Sequence, residues 1–164
     1  MELKTYQRLA LQHALHAIAC DGKIHAREVE ELRRLTTNTP YFDELDAEAE
    51  LTSALDVLAK HGVVAITEAL GRLATEDLTP RQRVKMLEVL LHVVDADDAA
   101  EPAECAYLQQ TQAALGVSVE EVAKHFPSHF SLFMPGSTQS FRAGPGFTLP
   151  DMLPDASAFL TASA

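Results

Sequence analysis

The sequence predicts an all-α protein: a compact bundle of about seven helices, built from two pseudo-equivalent helix-turn-helix repeats and followed by an irregular C-terminal arm. Three observations predict it. The 164 residues are 47% hydrophobic, with seven Gly, no Trp and abundant Ala and Leu, which favours helices over sheet and suffices for one buried core. Apolar residues recur with a helical period between clear stop signals. Finally, the stretch from Ala17 to Leu32 recurs 76 positions later, so that Asp21 falls on Asp97, Glu28 on Glu104, Leu15-His16 on Leu91-His92 and Leu32 on Leu108.

Each element has its own signals. A first helix is expected from about Glu2 to Ala19, with Ala10, Leu11, Ala14, Leu15, Ala17 and Ile18 on one broad apolar face. His13, His16 and Cys20 fall on the other side of the wheel, where they read as a polar surface stripe. Asp21-Gly22 ends the helix, because Gly takes the left-handed conformation after a helix without steric cost. A second helix begins near His25 and fades at Thr36 to Pro40, after which Tyr41 and Phe42 plug the core. The acidic run Asp43 to Glu50 suits the positive end of a third helix, which stops at His61-Gly62, and a fourth covers about Val63 to Ala74. Thr79-Pro80-Arg81-Gln82 has the form of a capped N-terminus: Thr at the cap, Pro at the first helical position, Gln three residues after the cap.

The fifth helix, to about Ala96, is the most apolar and belongs in the centre, with a polar stripe of Arg81, Lys85, Glu88, His92 and Asp95. A second acidic turn leads to a helix from Pro102 to Leu115, ended by Gly116. Ser118-x-x-Glu121 caps a last short helix that stops before Pro127. This divides the chain into a helical domain, residues 1–127, and an arm, residues 128–164. The arm contains five of the seven Phe and no lysine. Its Pro and Gly preclude a long helix, yet it is too apolar for a solvated linker. It is expected to lie on its own domain, with a partner or a second copy of the chain as the other possible receivers.

The charge balance excludes some functions. With 24 acids against 13 bases, a formal net charge of -11 and no basic cluster, nothing grips a nucleic acid backbone or an anionic lipid surface. Two cysteines, Cys20 and Cys105, make no disulfide framework and point to a reducing, cytoplasmic setting. The first twenty residues loosely resemble a lipoprotein signal, but Gln12, His13 and His16 interrupt the apolar run and Glu2 stands where a positive start belongs. No run reaches the ~18–20 apolar residues of a membrane span.

The two acidic turns are the candidate site. The first has a local explanation: Gly22 closes one helix, His25 stands at the next cap, and Glu28 reaches back to the cap's backbone N–H. The second fits that account less well. Asp95, Asp97, Asp98, Glu101 and Glu104 place five carboxylates in ten residues with no base between them, and that repulsion calls for a cation or a partner's base. Were the repeats to pack about a pseudo-twofold axis, Asp21, Glu28, Asp97 and Glu104 would offer hard oxygen ligands, the kind that suit Ca²⁺, Mg²⁺ or Mn²⁺. The spacing is not that of an EF-hand. His13, His16 and Cys20 could form a thiolate–imidazole site, but only the central His recurs in the second repeat. No Gly-rich phosphate loop, nucleophile elbow or His-Glu-x-x-His pair is present, so no catalytic residue is assigned.

With Ala-x-x-Asp-Gly-x-Ile-x-x-x-Glu and its second copy in hand, the chain resembles the tellurite-resistance TerB family, whose domain is also similar to one in a DnaJ-like membrane co-chaperone. The likeness covers about Met1 to Phe126 and includes Leu115-Gly116-Val117-Ser118 after the second motif. It implies an all-α fold of two halves and an acidic cluster considered a divalent-metal site, here matched by Asp21, Glu28, Asp97 and Glu104. It also implies a stress or tellurite-response role through protein complexes at the inner face of a membrane. The chain departs from the pattern at His25, at Asp98 in place of the second Gly, and at Glu101-Pro102. The expectation is therefore a non-enzymatic cytoplasmic module that binds a divalent cation and a protein partner, without nucleic acid or membrane insertion. Homo-oligomerisation through the arm is possible. The alternative is a metal-free helical scaffold with an acidic docking surface.

Overall fold

The computed structural model describes residues 1–20, 26–38, 40–95 and 102–133. Seven α-helices follow in chain order: α1 (Leu3–Ala19), α2 (Ala26–Asn38), α3 (Ala47–His61), α4 (Val63–Leu73), α5 (Pro80–Val94), α6 (Pro102–Leu115) and α7 (Val119–His125). Short 3₁₀ segments lie at Pro40–Phe42 and Pro127–Phe133. The described residues contain no strand.

The ends of these helices follow the local chemistry of the chain. Thr79 Oγ1 accepts from the Gln82 N–H at 3.1 Å while Gln82 Oε1 accepts from the Thr79 N–H at 3.0 Å, a complete capping box with Pro80 just inside it. Ser118 and Glu121 repeat the arrangement at α7. Asp46 caps α3 by accepting from the Ala49 N–H. Gly62 and Gly116 both have positive φ, 58° and 69°, which lets the chain reverse after α3 and α6.

The core is built on α1 and α5, which pack against each other along their lengths and touch most of the remaining elements. Met86, Leu87, Leu90, Val93 and Val94 of α5 meet Leu11, Ala14, Leu15 and Ile18 of α1 within one continuous apolar cluster. Phe42 is 1% exposed and fills the corner between α1 and α2, as its position after the second helix predicts. Gln7 anchors that corner. Its Nε2 donates to Asp43 Oδ1 at 2.9 Å and its Oε1 accepts from the Glu44 N–H at 2.8 Å.

One expectation fails outright. His13, His16 and Cys20 form no polar surface stripe: with Gln7 they are buried, and from Ala10 to Cys20 every residue except the half-buried Gln12 is enclosed. Residues 128–133, the beginning of the arm, continue the fold as a 3₁₀ segment on α6 and α7. Phe133 is buried there, Phe130 and Leu132 pack beside it, and Gln109 Nε2 donates to the Leu132 carbonyl at 3.1 Å. The rest of the arm, 134–164, lies outside the described residues.

Candidate functional site

The two helices that lead into the acidic turns lie side by side and in phase. Tyr6 Oη donates to the Gln82 carbonyl at 3.0 Å, and these residues are 76 apart, the offset of the internal repeat. Gln82 Nε2 also donates to the Met1 carbonyl at 3.0 Å. Equivalent positions of α1 and α5 are thus clamped at their N-terminal ends. Towards the other end, Glu31 of α2 and Asp95, the residue that closes α5, line one groove. Residues of α2, which follows the first turn, and of α5, which precedes the second, thus meet at one groove.

Of the four predicted ligands, Glu28 and Glu104 are described. Each sits in the first turn of its helix, α2 or α6, where the exposed N–H groups favour a carboxylate. Each is enclosed, at 0% and 1% exposure. A carboxylate withdrawn from water must be compensated by donors, a base or a cation, so these positions fit a hard cation as well as a capping role. Asp21 and Asp97 lie outside the described residues, as do the turns themselves. Among the described residues, no three His, Cys, Asp or Glu side chains are disposed to hold a metal ion.

Next to the turns is a groove of about 560 Å³ along the exposed stripe of α5, walled by α2 on one side and by the α7 end on the other. His92, His125 and His129 line it together with Glu31, Glu88 and Asp95. His129 Nε2 lies 3.1 Å from Asp95 Oδ2. Glu88 accepts from Tyr41 Oη at 2.8 Å and from Lys85 Nζ at 2.8 Å, and Lys85 also lies 5.0 Å above the Tyr41 ring. Partial burial pushes the Glu88 carboxyl up, but these donors outweigh it and hold it below its usual range. The Tyr41 phenol is pushed up to about 12, by burial first and by the carboxylate next to it second.

A second polar group lies inside the core, where wheel geometry did not place it. Tyr107 is buried on α6, and its Oη donates to the His13 carbonyl at 3.3 Å. The same hydroxyl lies 2.9 Å from His13 Nδ1, a hydrogen bond in which the imidazole tautomer sets the donor. His13 Nε2 and His16 Nδ1 are buried with no partner among the described residues. The two rings stand edge to face, 5.8 Å between centroids. Burial, with Arg72 nearby, lowers His13 to about 4; burial, then His13 and Arg72, lowers His16 well below its usual value. Both rings are neutral at pH 7. The signal for this burial was in the sequence: no charged residue stands between Arg8 and Asp21.

No helix among the described residues is long and apolar enough to cross a membrane. No curated protein and no solved structure matches the chain. The family described as tellurite resistance protein TerB matches residues 8–125, which spans α1 to α7 and both repeats. The all-helical duplicated fold and this match agree, and the chain belongs to the TerB family.

Proposed function

We propose that this chain is a non-enzymatic cytoplasmic TerB-like module of the stress and tellurite-resistance type. In this reading a divalent cation, Ca²⁺, Mg²⁺ or Mn²⁺, is held by Asp21, Glu28, Asp97 and Glu104, and the ordered turns present a surface to a protein partner. The observation that carries the reading is the Tyr6–Gln82 bond, which joins equivalent positions of α1 and α5, the two helices that lead into the acidic turns. The burial of Glu28 and Glu104 at equivalent positions supports it. A cation there would neutralise carboxylates that otherwise repel one another.

Calorimetric titration of the full chain with each of the three ions tests this. Glu28→Gln and Glu104→Gln keep the side-chain shape but remove a good ligand, so each should weaken binding at least tenfold. Equal binding by wild type and both variants removes the two glutamates from the site. No binding by wild type removes the ion.

The second reading is a metal-free scaffold whose acidic end meets a basic partner. The exposed Asp95 carboxylate at the end of α5, where the run of acids up to Glu104 begins, favours it. Its signature is partner affinity that falls with salt and does not respond to chelators.

A further inference from the structure

The groove along α5 has charge at both ends, and it continues past the part lined by Asp95. Beyond Glu88 it runs on for about 400 Å³ between α5 and α7, lined by Val84, Arg81 and Phe126. Its charges divide by position. Asp95, its side chain 57% exposed and in contact with His129 Nε2 at 3.1 Å, marks one end. In the middle Lys85 and Glu88 neutralise each other at 2.8 Å. Glu31 pairs with Arg34, and Glu121 closes the cap of α7. Arg81, exposed and in no ion pair among the described residues, marks the other end. Asp95 and Arg81 are fourteen residues apart on α5, about 21 Å at helical rise.

The arm carries charges in the complementary order. After Phe133 its only base is Arg142 and its only acidic side chains are Asp151 and Asp155, with Phe141 and Phe147 beside and between them. It also starts beside the groove, because Pro127, Ser128 and His129 at the head of the same 3₁₀ segment line the Asp95 end. Nine residues separate Phe133 from Arg142, and nine more separate Arg142 from Asp151. Each span reaches at most about 30 Å when extended, more than the about 21 Å required along α5. We propose that the segment from Phe141 to Asp155 folds back along this groove of its own chain, Arg142 towards Asp95 and the two aspartates towards Arg81. Tethering favours this occupant over a second copy, since a short linker gives an effective concentration of order mM. A docked arm covers the groove beside the acidic turns, so a partner for that surface must displace it. This inference does not depend on metal binding.

Trypsin provides the test, since Arg142 is the only Lys or Arg after residue 133. The rate of cleavage after Arg142 in the full chain is compared with that in a free peptide of residues 134–150. Slowing of about tenfold or more is expected. Asp95→Lys and Arg81→Glu should each return the rate most of the way to that of the peptide, with the melting temperature of the domain unchanged. Adding Asp151→Lys and Asp155→Lys to Arg81→Glu should restore slow cleavage after Arg142, which a general loosening of the fold would not do. Cleavage as fast as in the peptide, or protection indifferent to Asp95→Lys and Arg81→Glu, overturns the proposal. So does protection that grows with chain concentration from 1 to 100 µM, the mark of a second copy in the groove.

Discussion

Lowering the pH from 7 to 5 should destabilise this protein through His13 and His16. The folded state lowers the affinity of His13 for a proton to a pKa of about 4, whereas an unfolded histidine titrates near 6.5. The sign follows from which state takes up the proton. Between these values the unfolded chain binds a proton that the folded chain refuses, so stability falls as pH falls through 6.5 and the loss is complete below about 4. At pH 5 the His13 contribution is about 2 kcal/mol, rising to about 3 kcal/mol at the acid limit. His16 is shifted in the same direction by the same burial and adds to the loss. For a domain of this size 2 kcal/mol is about 6 °C in melting temperature. The assay is thermal and urea denaturation at pH 7 and pH 5, for the wild type and for a His13→Leu/His16→Leu variant. The variant retains the residue-13 carbonyl that accepts from Tyr107. Carboxylates that titrate near pH 5 act on both proteins, so the difference between them isolates the imidazoles. Equal wild-type stability at the two pH values, or the same pH slope in the variant, would refute the reasoning.

Three further substitutions test the frame. Gln7→Ala removes a buried side chain that holds Asp43 and the Glu44 N–H, and should lower the unfolding free energy by about 1–3 kcal/mol in urea titrations. Thr79→Ala breaks the capping box of α5 and should cost about 1 kcal/mol by the same measurement. Gly116→Ala places a Cβ at ordinary contact distance, 3.5 Å from Arg83 Nη1, so its cost of about 1 kcal/mol comes from the positive φ of 69° alone. Gly116→Asn, which tolerates that conformation, should then cost less.

Helix ends were the most legible part of the chain, because capping is local chemistry. Thr79-x-x-Gln82, Ser118-x-x-Glu121, Gly62 and Gly116 each act at the position where the sequence places them. The phase of the two repeats was half legible. A repeat offset of 76 is visible by eye, but only the Tyr6–Gln82 bond shows that equivalent positions touch, since periodicity says nothing about how two helices stand to one another. The burial of His13, His16 and Cys20 was misread for a physical reason. A helical wheel assigns polar residues to solvent, which holds for a helix at the edge of a bundle and fails for a stretch that is enclosed, as α1 is from Ala10 onward apart from Gln12. The uncharged run from Leu9 to Cys20 separates the two cases. Of the acidic positions, Glu28 and Glu104 were expected as a pair and lie at equivalent, enclosed places in α2 and α6. Asp21 and Asp97 fall outside the described residues.

The clamp between Tyr6 and Gln82 also bears on the difference in sequence between the two turns. Both hinges inherit their starting points from helices locked together at the far end, so neither has to specify its own place in the molecule. The second has Asp98 and Ala100 where the first has Gly22 and Ile24, and α1 and α5 before them contribute to one core. A change of sequence between Asp95 and Pro102 thus leaves the clamp itself intact, because neither Tyr6 nor Gln82 lies in a turn.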